Sequence, residues 1–179
     1  RLKSTGPSAV KRQWMVSPAL MGRQISSILP AGMLNSIGFS AACAGMADYV
    51  DAVAAAHGIS GEAAERNRAV HDLMRAQEVA VIAPLLDYLA GRNDVRLLGP
   101  REAARRAPTV AVELDRAAEP VSEELGRNGI ACWAGDFYAV RPLAALGIDR
   151  DKGVLRMSAA HYTSAEDVSR LIAALDLVL

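Results

Sequence analysis

One arginine interrupts the apolar run GVLRMSA, residues 153–159, and a well-capped helix pattern follows directly behind it. A guanidinium is a planar, permanently charged fork of N–H donors. Held on a rigid strand it can grip a carboxylate through two parallel hydrogen bonds, a task for which the point charge of lysine is less suited. Alternation along a strand puts Arg156 on one face with Val154 and Ser158, opposite Leu155 and Met157. Two uses fit: an edge-strand arginine whose stem packs while its head reaches water, or a carboxylate clamp. Spacing alone does not separate them.

The other reactive residue types form no constellation. Cys43 and Cys132 are isolated, with neither zinc-ligand spacing nor the density of a disulfide scaffold. Cys132 lies inside a strand-like run and reads as a small buried hydrophobe rather than a nucleophile. His57, His71 and His161 are far apart in sequence, with no metal spacing among them, so no metal site is expected. The chain also lacks a P-loop, a dinucleotide-binding fingerprint and a Gly-x-Ser-x-Gly elbow.

The elements that must position these residues change character along the chain. Residues 1–31 are broken by Gly6-Pro7, Pro18, Gly22 and Pro30 and read as loop with one short helix. From Leu34 to His57, Phe39, Ala42, Cys43, Met46, Tyr49, Val50 and Val53 recur at helical steps, and Gly58 ends the run. A second long helix is expected from Ser60, as N-cap, to Leu89 or Ala90, with a kink or break at Pro84 and a stop at Gly91. Short units then alternate: strands DVRLLG, TVAVEL, GIACWAG and GVLRMSA, separated by helices PREAARR, PVSEELGRN and VRPLAALG. This pitch predicts an α+β domain, a small sheet with helices layered on one face, preceded by long helices. The last helix, from Ala165, carries a predicted capping box of Thr163 and Glu166 and a stripe of Val168, Leu171, Ile172 and Leu175.

Composition bounds the class. A chain of 179 residues can bury a sizeable core. Lys plus Arg equal Asp plus Glu at 20 each, so nothing favours nucleic acid or an anionic membrane as partner. Arg101, Arg105 and Arg106 read as the solvated face of a short helix. No apolar run reaches the ~18 residues that a membrane span needs, and the opening RLKSTGPSAV lacks a signal-peptide pattern. A reducing cytoplasm is the simplest reading of two unpaired cysteines. The absence of an initiator Met fits a fragment or a processed product.

With these residues in view, GVLRMSAAHYTSAEDVSRLIAAL resembles the closing segment of class V aminotransferases and the related cysteine desulfurase-like proteins, which are pyridoxal-phosphate enzymes of fold type I. There a strand carries an Arg, then a Ser, then a Tyr-Thr or Tyr-Asn pair and a Leu-rich final helix. The resemblance implies that Arg156 binds the α-carboxylate of an amino-acid substrate. GIACWAGDFYAVRPLAALGI, upstream, is similar to the strand and loop where desulfurases carry a persulfide cysteine, and Tyr138 stands near that position. Descent from desulfurases is therefore implied, but sulfur mobilisation is not.

Near the start, KSTGP resembles the Lys-x-x-Gly-Pro whose lysine forms the Schiff base with the cofactor, which makes Lys3 the candidate for that role. Such a lysine needs a pKa lowered by its surroundings so that the free amine can attack. PAGMLNSIGFSAACAGMADYV resembles the segment whose Gly-Thr-x-Asn motif reaches the cofactor phosphate of the neighbouring subunit; Gly32 and Asn35 match, while Met33 replaces the threonine and cannot donate a hydrogen bond. Between the two motifs, residues 8–28 lack the family's glycine-rich strand, through divergence or an altered reading frame.

On this resemblance the chain divides into a remnant of the large domain's C-terminal end, residues 1–58, and a small C-terminal α+β domain, residues 59–179. Most of the large domain that binds pyridoxal phosphate is absent, so the isolated chain is expected to be a poor enzyme or none. The implied assembly is a homodimer. The alternative is a non-catalytic association domain in which Arg156 makes a structural ion pair and the helices of residues 34–90 bury their apolar faces against another copy of the chain.

Overall fold

The computed structural model describes residues 34–179, with side chains from Cys43 onward. Lys3, Gly32 and Met33 lie outside the described residues, as does the expected loop at 1–31, and Asn35 falls in the first helix with its side chain outside them. The elements are α1 (Leu34–Ala56), α2 (Ala63–Ala90), β1 (Val95–Leu98), a 3₁₀ turn (Ala103–Arg105), β2 (Thr109–Leu114), α3 (Ala118–Arg127), β3 (Trp133–Gly135), α4 (Val140–Leu146), β4 (Val154–Ser158) and α5 (Ala165–Val178). The chain divides into two compact units between Val70 and His71.

In the first unit, Gly58 supplies the left-handed turn that ends α1, and Ile59 N–H closes it on the Ala54 carbonyl at 2.8 Å. Val53, Ala54 and Val70 are buried, and Arg66 forks onto Asp51 at 2.8 and 3.1 Å. Among its described residues the expected apolar stripe is buried at its C-terminal end: Met46 is 69% exposed and Cys43 is exposed, while Val53 is buried. Ser60 does not cap α2. Gly61 turns the chain at φ +122°, and the Glu65 carboxylate takes the Glu62 N–H at 3.1 Å, so the helix begins at Ala63.

In the second unit, β2 follows from TVAVEL, whose strict alternation sends Val110, Val112 and Leu114 into the core. The sheet has four antiparallel strands in the order β1-β2-β4-β3. Its core face meets Ile82, Leu86 and Leu89 of α2, Val121 and Leu125 of α3, and Leu175 of α5. Leu155 of β4 lies at the centre of this cluster, fully buried. Thus the architecture is α+β, with the alternating units in their expected order. An exposed network of Tyr88, Arg92, Asp94 and Asp176 ties the end of α2 to the start of β1 and to α5.

Several expectations are corrected. Helices do not cover one face alone: Leu143 of α4 and Ile148 pack on Val154, on the face opposite Leu155, with Leu98, Ala111 and Phe137 around them. α2 runs unbroken through Pro84; Pro84 and Ala80, whose carbonyl loses its helical donor, are both exposed, so water can take the freed bond. Arg106 is no solvated residue. Its fork donates to the carbonyls of Pro100, Leu98 and Thr109, stapling the loop between β1 and β2, and burial holds its pKa below the usual arginine range.

The capping box of α5 is formed by Ser164 and Asp167, one residue beyond the expected pair. Ser164 Oγ accepts the Asp167 N–H at 3.1 Å, and the Asp167 carboxylate accepts the Ser164 N–H at 2.9 Å. Thr163 instead takes the Ala160 N–H, closing the preceding turn. Loss of such a cap typically costs about 1 kcal/mol. Ser164→Ala should therefore lower the stability measured by urea unfolding by about 1 kcal/mol, and an unchanged midpoint would contradict this placement of the cap.

Candidate functional site

Leu98, Ala111, Arg156 and Trp133 form one row across the sheet, since Leu98 pairs with Ala111, Ala111 with Arg156, and Arg156 with Trp133. Side chains at paired positions share a face. Arg156 therefore stands on an interior strand, between β2 and β3, which corrects the edge-strand reading. Its neighbours Leu155 and Met157 are buried and Arg156 is exposed, so the alternation expected for β4 holds. Ala111, half-buried against the cluster of Leu143, Ile148 and Val154, stands on one side of it. Trp133, 70% exposed, stands on the other.

Two arginines lie on the sheet, and their surroundings differ. Arg96 of β1 bonds Glu113 at 2.9 Å and the Leu146 carbonyl at 3.1 Å. No carboxylate among the described residues pairs with Arg156. Its guanidinium carbon instead sits 3.9 Å from the centroid of the Phe137 ring, within cation–π range. The ring is thus the contact that backs the guanidinium, in place of a carboxylate among the described residues.

Phe137 belongs to a turn that no spacing rule flags. Phe137 and Tyr138 both have positive φ, 51° and 58°, although neither is glycine. Each such residue costs on the order of 1–3 kcal/mol, so the neighbouring structure must impose the conformation. Asp136 does so locally: its Oδ1 accepts the Tyr138 N–H at 3.0 Å, and its Oδ2 accepts Arg150 Nη2 at 2.6 Å. Gly135 and Gly153 let the strand ends approach; a Cβ at Gly153 would lie 2.8 Å from Gly135 Cα. Tyr138 is 98% exposed.

Arg150 and the Tyr138 N–H hold the Asp136 carboxyl below the usual carboxylate range. A group with a lowered folded pKa contributes stability above its ordinary range and loses it as pH falls through the lowered value. Acid, not base, therefore loosens this turn.

Cys132 is half-buried and faces Ser122, its Sγ 3.6 Å from Ser122 Oγ, and burial pushes its pKa up. That is the setting of a packing residue. Lys152 donates to the Asp115 carbonyl at 2.9 Å. Among the described residues no group of His, Cys, Asp and Glu could hold a metal, and no helix is long and apolar enough to cross a membrane. The structure thus sets Trp133 and Phe137 beside Arg156, with Asp136 tying the turn that carries Phe137. Of these the sequence reading singled out Arg156 alone.

Comparison with known proteins gives the family. The aminotransferase class-V family matches residues 51–171, and the chain belongs to that family. The aminotransferase-like protein FGM3 of Gibberella zeae is 27% identical over 121 residues, 64% of this chain and 30% of its own length. Among solved structures, the apo cysteine desulfurase of Thermococcus onnurineus NA1 superposes with a TM-score of 0.54 at 23% identity, covering 65% of this chain and 30% of its own. The Escherichia coli cysteine desulfurase CsdA, in its S-sulfonic acid form, gives 0.50 at 25% identity, covering 66% and 31%. The chain spans about 30% of the length of these relatives.

Two outcomes check the site. In Arg150→Gln the Asp136 carboxyl should titrate closer to its ordinary value in a carbon-detected NMR pH series; an unshifted curve would show that Arg150 is not the cause. With a thiol reagent at neutral pH, exposed Cys43 should react first and Cys132 only slowly. Equal rates in the folded chain would contradict the buried setting of Cys132.

Proposed function

We propose that this chain is the C-terminal part of a pyridoxal-phosphate-dependent class V aminotransferase-type enzyme, residues 59–179 forming its small domain and residues 1–58 the end of its large domain. Arg156 is the anchor for the α-carboxylate of an amino-acid substrate. The observation that carries this reading is the guanidinium on an interior strand, backed by an aromatic ring and free of any carboxylate among the described residues. Two N–H edges presented together suit a carboxylate in a bidentate pair. Such an anchor fixes the amino acid in orientation, leaving its amino group and α-hydrogen to face the rest of the site. The reaction class is amino-group transfer or proton abstraction at that carbon.

The described residues do not themselves make a cofactor cradle. Lys152, the one lysine among them, is turned to a backbone carbonyl and cannot serve as Schiff-base residue without leaving it. Lys3 is our candidate for that role, with Gly32 and Asn35 toward the cofactor phosphate. Pyridoxal phosphate supplies an electron sink when bound, and the described part of this chain supplies the substrate end. Further cofactor contacts would come from a large domain, and the enzyme would work as a homodimer in a reducing cytoplasm. Sulfur mobilisation is disfavoured on the same resemblance: near the position of the desulfurases' persulfide cysteine stands Tyr138, and a phenol cannot hold a persulfide.

The competing association-domain reading requires a structural ion pair at Arg156, and the lack of a carboxylate there among the described residues weighs against it. The test is a pyridoxal-phosphate titration of the chain, followed by borohydride reduction and peptide mapping. Labelling that saturates at Lys3 ahead of Lys11 and Lys152 is expected where a cofactor site survives in this chain. Labelling that saturates at Lys11 or Lys152 in place of Lys3 would contradict a Schiff-base role for Lys3.

A further inference from the structure

We infer that Phe137 is a positioning residue for Arg156, and that the Asp136–Tyr138 turn exists to hold its ring against the guanidinium. The inference rests on the carboxylate-anchor reading of Arg156, but its own support is geometric. An exposed arginine normally samples many rotamers, and ordering it on ligand binding lowers affinity. Here the guanidinium carbon lies 3.9 Å from the Phe137 centroid, a contact that restricts the positions open to the fork without using a carboxylate to do so.

The turn shows why this ring is available. Phe137 has a positive φ, followed by a second at Tyr138, and from this turn its ring lies against Arg156 of β4. Two bulky residues in that conformation persist only where neighbours over-determine it. Those neighbours are present: the Asp136 carboxylate bridges the Tyr138 N–H and Arg150, and the close approach of Gly135 to Gly153 fixes the start of the turn. Phe137 also packs against the cluster of Leu143, Ile148 and Val154, which gives the ring a fixed seat. Nothing in this arrangement serves the main core, which lies on the other face of the sheet.

The device also accounts for the absence of a carboxylate partner among the described residues. A carboxylate facing Arg156 would order the fork equally well but would compete with a substrate carboxylate. An aromatic ring orders it without occupying its donors.

The experiment uses the whole chain, with propionate as carboxylate probe. In the free protein the Arg156 Nε–H resonance should be displaced by the Phe137 ring current, and the displacement should vanish in Phe137→Leu and persist in Phe137→Tyr. Propionate affinity, read from the same resonance, should fall about two- to fivefold in Phe137→Leu and return in Phe137→Tyr. Backbone amide spectra of both variants report whether the fold is kept. An ordinary Nε–H shift in the wild type, or equal propionate affinity in Phe137→Leu and wild type, would overturn the positioning role. A displaced resonance with no propionate binding would overturn the anchor reading instead and leave the ring contact standing, so the two failures are distinguishable.

Discussion

Arg156 faces outward because its neighbours cannot. Leu155 and Met157 are buried in the main cluster on one face of β4, and a strand alternates strictly, so the residue between them must stand on the other face. A one-residue slip of β4 against β2 would bury the guanidinium and expose both apolar side chains. The pairings of β4 with β2 and β3 hold it in register, with Thr109 and Ser158 bonded at 3.2 Å beside the same row. The core is thereby also the device that fixes the direction of the charge. What β3 and its following turn add is the environment of that charge, with Trp133 beside it and the Phe137 ring against it.

This division of labour explains where unfavourable conformation is tolerated. The core face is regular, with no buried polar or charged residue among the described ones. The irregular features gather on the other side: two non-glycine residues at positive φ, a glycine pair in near contact, and a carboxylate tied by both a backbone N–H and an arginine. A chain selected only for stability would place glycine at Tyr138, whose side chain is almost fully exposed and whose backbone favours none. Strain concentrated around a guanidinium with no carboxylate partner among the described residues fits a site that binds something.

Much of the fold was legible in the sequence because it is written in periodicities. TVAVEL and GVLRMSA alternate, and the units between them carry helix signals of the right length, so the order of strands and helices followed directly. The misses have local causes. Ser164 caps α5 in place of Thr163 because Thr163 is engaged in closing the turn before it, a competition that spacing does not reveal. Arg106 looked like a surface charge until the loop folded its carbonyls around it. Arg156 could be singled out by its type and its apolar surroundings, and family resemblance gave it a role. Neither its interior strand nor Phe137 could be, since strand order and a left-handed Phe-Tyr turn arise only from tertiary packing.

The central claim is that Arg156 is a carboxylate clamp, and the most direct measurement compares glycine with glycinamide. The two ligands share an amine and a carbon skeleton and differ in the carboxylate. Titrated into the chain while the Arg156 side-chain N–H resonances are followed, glycine should shift them saturably and glycinamide should not. In Arg156→Lys the amide shifts that glycine causes in β3 and β4 should require at least about tenfold more ligand, the scale of a lost charge-assisted pair. Equal responses to glycine and glycinamide, or an undiminished response in Arg156→Lys, would contradict the account.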